Sequence, residues 1–259
     1  MTATYDPELY DIAMPLTFGG DVDWYRRKAR EAGGPVLELG AGTGRVTLPI
    51  VQDGVEVWAL DADVGMLGRL RRKLDGLPSD VRQRVTLIEG DMQSFTLEQR
   101  FALVICPFRA FLHNLTAEDQ LACVRRVHEH LRPGGRFAFN IFHPSLEYMA
   151  RNAGALAGVW RLTATHQLPD GGVLVRSEAN RYDTIKRRVV SLNRYEHYGP
   201  DGNGVRTFMQ QLELSFLYPS DVRSLLEKAG FSRVTIEGDF HGRPLENDMD
   251  EQVIEAWKD

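Results

Sequence analysis

The stretch Val36–Val46, VLELGAGTGRV, combines a short apolar run, one acidic residue and three glycines at alternate positions. Because glycine lacks Cβ, it allows a tight turn and a close approach of the backbone to a ligand. A dinucleotide-binding turn has the spacing G-x-G-x-x-G. This run does not have it, because Arg45 or Thr47 stands where the last glycine would be. The run therefore predicts a different strand-to-helix turn, with Glu38 near the end of the strand.

The acid in this turn indicates which kind of ligand suits it. A carboxylate at Glu38 repels a pyrophosphate and favours a ligand that carries positive charge. S-adenosylmethionine, with its sulfonium and ammonium groups, is such a ligand. Asp61 ends the second apolar run, and an acid at that place can accept hydrogen bonds from both hydroxyls of a ribose. The alternative is that Asp61 or Asp63 only caps the following helix.

A third acid follows the next predicted strand, in the sequence Gly90-Asp91-Met92. The carboxylate of Asp91 suits the exocyclic amine of adenine, and the backbone N–H of Met92 suits a ring nitrogen. Taken alone, the Gly-Asp pair is a turn. Its place after the third strand, in the order set by the first two acids, favours the adenine interpretation.

Strand and helix patterns alternate through the first part of the chain. This alternation predicts a parallel sheet with helices on both faces and a ligand at the carboxyl ends of the strands. Thr116, with Asp119 three residues later, predicts the N-cap of a helix that runs to about Leu131. The predicted strands of this part are 36–39, 55–60, 85–89, 101–106 and 136–142.

The segment 151–217 has a different pattern, with strand signals and hairpin turns but no helices between them. We therefore expect one α/β domain, residues 1–150 and 218–259, interrupted by an antiparallel β lid, residues 151–217. Two independent domains are the alternative. The strands predicted in and after this segment are 159–167, 173–182, 189–198, 206–217, 233–237 and 252–257.

Five motifs, in order, resemble those of class I S-adenosylmethionine-dependent methyltransferases. They are Glu38-x-Gly40-x-Gly42-x-Gly44, Asp61, Asp91-Met92, the strand Leu103–Pro107 and the sequence LRPGG at Leu131–Gly135. The resemblance covers about residues 30–145 and resumes at 219–259. It implies an α/β fold with a Rossmann-like sheet of order 3-2-1-4-5-7-6, in which strand 7 is antiparallel and the β insertion follows strand 5.

The same resemblance implies S-adenosylmethionine as the cofactor and S-adenosylhomocysteine as the product. The residues that it places at the cofactor are Tyr5, Glu38, Gly40, Gly42, Gly44, Asp61, Ala62, Met66, Asp91, Met92 and Cys106. The lid and the repeats Tyr5-Asp6 and Tyr10-Asp11 resemble small-molecule N-methyltransferases of the glycine and aminosugar types. In that group the N-terminal segment closes over the cofactor.

Methyl transfer is an in-line displacement at a cationic sulfonium, so positioning of the acceptor and exclusion of water are expected to dominate. A general base is optional for an amine and more useful for a hydroxyl. The candidate catalytic residues are His143, His113 and Tyr10. The alternative for each histidine is a structural role or stacking on the substrate.

The candidate substrate-binding residues are Arg109, Tyr182 and Tyr195. Arg109 follows strand four, where its guanidinium could pair with an anionic group of the substrate. A surface position is the alternative for Arg109. The two tyrosines lie in the lid, where an ordinary lid core is the alternative to contact with the substrate.

Composition and charge narrow the class of protein. Of 259 residues, 43% are hydrophobic and 26% are charged, which is typical of a soluble globular protein. The net charge of −5 disfavours a nucleic-acid partner. Cys106 and Cys123 are expected to be buried, reduced thiols, and no Cys or His spacing predicts a metal site. No signal peptide or membrane-spanning run is predicted, so we expect a cytoplasmic monomer or homodimer without a membrane partner.

The sequence thus predicts methyl transfer from S-adenosylmethionine to a small-molecule acceptor, with N or O favoured and C possible. The alternatives are a methyltransferase for nucleic acid or protein and a non-catalytic scaffold that keeps the cofactor fold. The first is disfavoured because strand four ends ICPFRA, not with the Asn/Asp-Pro-Pro-aromatic run of amino-methylating nucleic-acid enzymes. The second would be favoured by loss of Glu38, the glycines or Asp61, and all of these are present.

Overall fold

The computed structural model describes residues 6–13 and 20–259, which contain two β-sheets and eight α-helices. The strands are β1 (Val36–Leu39), β2 (Val57–Asp61), β3 (Val85–Glu89), β4 (Phe101–Cys106), β5 (Leu131–Phe142), β6 (Arg161–Gln167), β7 (Val173–Asp183), β8 (Arg188–Tyr198), β9 (Gly204–Ser215), β10 (Arg233–Glu237) and β11 (Glu251–Trp257). The helices are α1 (Pro7–Ala13), α2 (Asp21–Ala32), α3 (Thr47–Gln52), α4 (Val64–Asp75), α5 (Ser79–Arg82), α6 (Ala117–His130), α7 (Leu146–Ala150) and α8 (Pro219–Lys228).

The larger sheet has seven strands in the order β10-β11-β5-β4-β1-β2-β3. Strands β1 to β5 pair in parallel, whereas β11 pairs antiparallel with both β5 and β10. With β10 as strand 6 and β11 as strand 7, this is the order 3-2-1-4-5-7-6, so the predicted sheet is confirmed. The parallel arrangement brings the carboxyl ends of β1 to β5 to one edge of the sheet.

The middle strands are buried on both faces, which explains why their sequences are almost entirely apolar. All four residues of β1 and all six residues of β4 are buried. Successive side chains of a strand point to opposite faces. Leu37 and Leu39 therefore pack in one core with Phe137, whereas Val36 packs in a second core with Trp24 of α2.

The smaller sheet lies between β5 and α8 in the chain. Its order is β6-β7-β8-β9, and each neighbouring pair is antiparallel. The predicted antiparallel insertion after strand 5 is confirmed. We call the sheet β6–β9 the lid. The division into a domain of residues 1–150 and 218–259 and an insertion of residues 151–217 stays a prediction.

Two features of the fold differ from the sequence prediction. Strand β5 begins at Leu131, earlier than residue 136, and its pairing with β4 shifts register between Phe101 and Leu103. The LRPGG sequence is therefore an irregularity inside the strand and not a turn before it. The helices α1, α5 and α7 were not predicted. They have seven, four and five residues, too few for a clear helical period.

The predicted cap of α6 is confirmed. Oγ1 of Thr116 accepts a hydrogen bond from the N–H of Asp119 at 3.1 Å, and the carboxylate of Asp119 accepts one from the N–H of Thr116 at 3.1 Å. These reciprocal bonds satisfy two N–H groups that a helix start leaves without helical partners. The helix then runs to His130 and covers one face of the large sheet.

Replacing Thr116 with alanine removes this side-chain acceptor. We expect Thr116→Ala to lower the free energy of unfolding by about 1 kcal/mol in urea denaturation. Thr116→Ser keeps the hydroxyl and serves as the control, with stability close to that of the wild type. Equal stability of Thr116→Ala and wild type would show that the cap contributes nothing measurable.

Candidate active site

A cavity of about 710 Å³ lies at the carboxyl ends of the parallel strands, under the lid. Its wall on the sheet side comes from the turns after β1, β2 and β3 and from the segments after β4 and β5. The opposite wall comes from β7, β8 and β9. Pockets that hold small ligands have volumes of roughly 300–1,000 Å³, so this cavity suits such a ligand.

The glycine run forms a turn that holds the backbone at the cavity wall. Gly40 and Gly42 line the cavity and have positive φ angles of 69° and 57°. A Cβ on Gly40 would stand 2.8 Å from the Cβ of Ala110, so a larger residue would force the two segments apart. Gly44 instead packs on α4, where a Cβ would stand 2.3 Å from Leu70. Two glycines thus shape the cavity, and the third allows the turn to pack on the helix.

Asp61 ends β2 and ties the glycine turn to the cavity wall. Its Oδ2 accepts from the N–H of Gly42 at 2.7 Å, and its Oδ1 accepts from the N–H of Asp63 at 2.8 Å. The cap of α4 is Asp63, whose carboxylate accepts from the N–H groups of Gly65 and Met66. The capping interpretation therefore applies to Asp63. Asp61 lines the cavity, and its carboxylate has about two acceptor sites left for a ligand.

The turn after β3 completes this side of the cavity. Asp91 and Met92 line it beside Ala62 and Met66. Oδ1 of Asp91 accepts from the N–H of Gln93 at 2.8 Å, which fixes the carboxylate on its own turn. Carboxylates, glycine backbone and apolar side chains therefore share one wall. This set suits ribose hydroxyls, an adenine amine and a positively charged tail, so the residues present fit S-adenosylmethionine.

Three predicted cofactor residues lie behind the cavity wall. Glu38 is buried, and its Oε2 accepts from the hydroxyl of Thr47 at 2.6 Å. Burial raises the pKa of Glu38 to about 8. Cys106 is buried in the core, and Gly44 packs on α4. These residues act on the site through the shape of the turn. A pKa of about 8 leaves Glu38 largely protonated at neutral pH, so burial removes most of the negative charge that the sequence predicted at this turn. Tyr5 lies outside the described residues, so its cofactor contact stays a prediction.

Helix α1 lies against the glycine turn and closes one side of the cavity. The carboxylate of Asp11 accepts from the hydroxyl of Thr43 at 2.6 Å and from Nε of Arg69 at 2.8 Å, and it pairs with Lys73. Tyr10 lines the cavity, and burial raises its pKa to about 12. Its phenol is therefore protonated at neutral pH. Tyr10 can donate a hydrogen bond in the cavity and is a poor candidate for a base.

A buried amide holds the segment after β4 in a strained conformation. Phe108 and Arg109 have positive φ angles of 56° and 65°, which residues other than glycine rarely adopt. Oδ1 of Asn140 accepts from the N–H of Phe108 at 2.9 Å and from the hydroxyl of Tyr25 at 2.8 Å. Nδ2 of Asn140 donates to Glu251, whose two oxygens accept from Arg109 at 3.0 and 2.6 Å. Arg109 lines the cavity, so an anionic substrate group would compete with Glu251 for it.

Both candidate histidines line the cavity. His143 directly follows β5, and its Nε2 lies 3.5 Å from Oδ1 of Asp248. Its Nδ1 is buried and has no hydrogen-bond partner among residues 6–13 and 20–259. Burial lowers the pKa of His113, so its imidazole is neutral at neutral pH. The structure thus brings His143, His113 and Tyr10 to one cavity, and the catalytic role of each stays a prediction.

The lid side of the cavity contains Tyr182 and Tyr195, and their contact with a substrate stays a prediction. It also contains polar residues that the sequence analysis did not assign, namely Glu178, Asn180, Ser191, Asn193 and Gln210. Alternation along β7, β8 and β9 is the signal that could have found them, because every second residue of a strand shares a face. The sequence did not indicate which of the two faces covers the cavity.

Two further findings concern metals and membranes. Within the described ranges, no group of three or more His, Cys, Asp or Glu side chains is arranged to hold a metal ion. Across the same residues, no helix combines the length and the hydropathy that a membrane span requires. Cys106 and Cys123 are buried free thiols, as the sequence predicted.

Comparison with known protein families and sequences agrees with this site. Residues 36–135 match the family described as Methyltransferase domain. The cypemycin N-terminal methyltransferase of a Streptomyces species is 31% identical over 130 residues, which are 49% of this chain and 51% of that protein. The chain therefore spans about half the length of this curated relative.

Solved structures show the same fold over most of the chain. The CcbJ methyltransferase of Streptomyces caelestis is 24% identical, with a TM-score of 0.74 over 94% of this chain and 97% of that chain. The glycopeptide N-methyltransferase MtfA, complexed with S-adenosylmethionine, is 27% identical, with a TM-score of 0.57 over 94% and 96%. Residues 36–135 are therefore part of a methyltransferase domain, and the described chain has the class I fold. The predicted resemblance and its cofactor, S-adenosylmethionine, are confirmed for this domain.

Removing the Asp61 carboxylate tests its place in the cofactor site. We expect Asp61→Ala to weaken S-adenosylmethionine binding by about 1.5–3 kcal/mol in calorimetry, because hydrogen bonds to a charged acceptor are lost. Asp75→Ala, at an exposed acid that ends α4, is the control and should bind as the wild type does. An unchanged affinity in folded Asp61→Ala would remove Asp61 from the site.

Proposed function

We propose that the protein transfers a methyl group from S-adenosylmethionine to an amine nitrogen of a small molecule that enters the same cavity. The main observation behind this proposal is that one cavity is lined by two chemically different walls. The glycine turn, Asp61 and Asp91 form the first wall, and polar residues of the lid form the second. Donor and acceptor can therefore meet in one space between these walls.

The choice of nitrogen has support from two similar proteins. MtfA is named a glycopeptide N-methyltransferase, and the cypemycin enzyme is named an N-terminal methyltransferase. The chemistry of the cavity agrees, because an amine needs orientation more than activation, and a base is optional for it. A hydroxyl acceptor would depend on a strong base in the site. Tyr10 does not supply one, because its phenol is protonated at neutral pH.

On the first wall, Asp61 would accept from ribose hydroxyls and Asp91 from the adenine amine. Gly40 and Gly42 would bring backbone close to the ligand. When bound, S-adenosylmethionine supplies a methyl group that its cationic sulfonium has already activated. The protein then has to hold the acceptor nitrogen in line with that methyl group and exclude water. Helix α1 and the lid close the cavity around these residues.

The acceptor nitrogen must also lose a proton. His113 is neutral at neutral pH because burial lowers its pKa, so it can accept this proton. His143 lines the same cavity, and its Nε2 lies 3.5 Å from Oδ1 of Asp248. Its Nδ1 is enclosed by protein, so it is not the nitrogen that would meet the acceptor. His143 is the first candidate because it directly follows β5 and its ring is oriented by Asp248.

Turnover of a mixed acceptor panel tests the proposed function. Purified protein with S-adenosylmethionine should form S-adenosylhomocysteine with primary or secondary amines, and mass spectrometry should show the added methyl on nitrogen. Alcohols of the same carbon skeleton are the matched control. Methylation of the alcohols alone would show that oxygen is the acceptor. Cofactor binding without turnover of any acceptor would favour the scaffold interpretation.

The role of His143 is tested by substitution. We expect His143→Ala to lower kcat by up to about 10²–10⁴-fold, the usual range for acid–base catalysis, with cofactor affinity nearly unchanged. His241→Ala, at an exposed histidine away from the cavity, is the control.

If His113 accepts the proton instead, the activity of the enzyme is lost as pH falls through the pKa of His113. That loss would occur below about pH 6.5, because burial lowers the pKa of His113 from the usual histidine value. Wild-type kinetics in His143→Ala would exclude His143 from both catalysis and positioning.

A further inference from the structure

The cavity face of the lid has a regular arrangement of side chains. Glu178 of β7 pairs with Asn193 of β8, which pairs with Gln210 of β9, so three polar residues form a row across the strands. In the next row, Asn180 pairs with Ser191. All five residues line the cavity. We call these five residues the polar band.

The carboxylate in the polar band is held in place by neighbouring donors. The hydroxyl of Tyr148, on α7, donates to Oε1 of Glu178. Nδ2 of Asn180 donates to the same oxygen at 3.1 Å. The guanidinium of Arg176 lies 3.4 Å from Oε2. One oxygen therefore has two close donors, and the other has a single longer contact that leaves acceptor capacity for a ligand.

The side-chain amides of the polar band differ in how many hydrogen bonds they make within the protein. Asn193 is 1% exposed, and its Oδ1 accepts from Nε and Nη2 of Arg176 at 3.2 and 2.9 Å. Nδ2 of Asn193 donates to Ser191 at 3.2 Å. Gln210 is 8% exposed and lines the cavity, and its side chain has no hydrogen-bond partner among residues 6–13 and 20–259. Its amide atoms are not among the fully enclosed polar atoms, so they are open to the cavity and available to hydrogen-bond a ligand there.

Apolar side chains border the polar band along the strands. On one side lie the rings of Tyr195 and Phe208, which pair across β8 and β9. On the other side lie Tyr182, Val189 and Leu214. The lid thus presents donors and acceptors in the middle and apolar surface at both ends. A molecule with hydroxyl groups around a C–H framework has the complementary pattern.

The charges next to the band disfavour an anionic ligand. Arg176 is balanced by Glu178 and Arg109 by Glu251. A phosphate or carboxylate would have to displace one of these partners. Neutral hydroxyl groups can instead donate to Glu178 and exchange hydrogen bonds with Gln210 without breaking an ion pair.

We propose that the polar band determines specificity for a polyhydroxylated amine, with Glu178 and Gln210 binding hydroxyl groups of the acceptor. This inference rests on the proposed function, because it concerns the acceptor of that reaction. The first wall binds the methyl donor, and the candidate histidines lie near the acceptor nitrogen. The polar band binds the rest of the acceptor molecule. A site built to hydrogen-bond hydroxyl groups rejects analogues that lack them, since its polar groups are then left unpaired.

The experiment measures binding to the complex of the full chain with S-adenosylhomocysteine, by calorimetry or ligand-observed NMR. The hydroxylated probes are glucosamine, galactosamine and methyl glycosides of 3-amino and 4-amino hexoses. Cyclohexylamine is the matched probe with a six-membered ring and an amine but no hydroxyl groups. We expect at least one hydroxylated probe to bind about tenfold or more tightly than cyclohexylamine.

Two substitutions assign that preference to the polar band. Glu178→Gln and Gln210→Leu should each weaken the best hydroxylated probe about tenfold and leave cyclohexylamine and cofactor affinity unchanged. The controls are Glu196→Gln, on β8, and Gln211→Leu, next to Gln210 on β9; neither residue lines the cavity. Gln210 has no internal partner to lose, so Gln210→Leu should fold at least as stably as the wild type.

The proposal is overturned if no hydroxylated probe binds more tightly than cyclohexylamine, or if Gln210→Leu binds the best probe as the wild type does. These are binding measurements, so they are separate from turnover. If amines are methylated but the hydroxylated probes have no advantage, the polar band proposal fails and the proposed function stands. If the hydroxylated probes bind through the band but no amine is methylated, the proposed function fails instead.

Discussion

The hydrogen bond from the Gly42 N–H to Asp61 joins the two turns on which the cofactor wall depends. It is possible because β1 and β2 pair in parallel, so both strands end at the same edge. The bond uses only part of the carboxylate, so Asp61 can hold the turn and still face a ligand. The small space beside Gly40 adds a second constraint, because the segment after β4 packs against that glycine. The shape of the cavity therefore depends on the strand order, on the carboxylate of Asp61 and on the absence of a side chain at Gly40.

Asn140 has a comparable role on the other half of the edge. Its amide makes hydrogen bonds to three different elements. They are Phe108 in the segment after β4, Tyr25 of α2 and Glu251 of β11. A buried amide with all of these partners stabilises one arrangement, whereas a partly satisfied one would be costly. The strained backbone at Phe108 and Arg109 is thereby kept where it forms part of the cavity wall. Strain at this place has a structural reason that local sequence preferences do not show.

The resemblance to methyltransferases supplied the sheet order, whereas local signals in the sequence were enough to predict most of the residues on the first wall of the cavity. Asp61 ends β2, Asp91 lies two residues after β3, and the three glycines lie within five residues, so few long-range contacts were needed. The lid residues were harder, because Glu178 and Gln210 lie 32 positions apart in the chain and meet only through the register of β7, β8 and β9. The burial of Glu38 behind the wall was also not predictable, because a strand of four residues gives no sign of which side chain reaches the cavity. The same holds for Tyr148, whose short helix has no clear period in sequence.

Helix α1 has seven residues, too few to be stable as an isolated helix in water. Two kinds of contact hold it in place. Asp11 pairs with Arg69 and Lys73 of α4, and Leu9 and Ala13 pack against Leu174 and Tyr195 of the lid. The helix therefore joins the first wall of the cavity to the lid without taking part in the core under the sheet. Release of α1 should accordingly require less free energy than unfolding of the sheet, so the cavity can open while the fold stays intact.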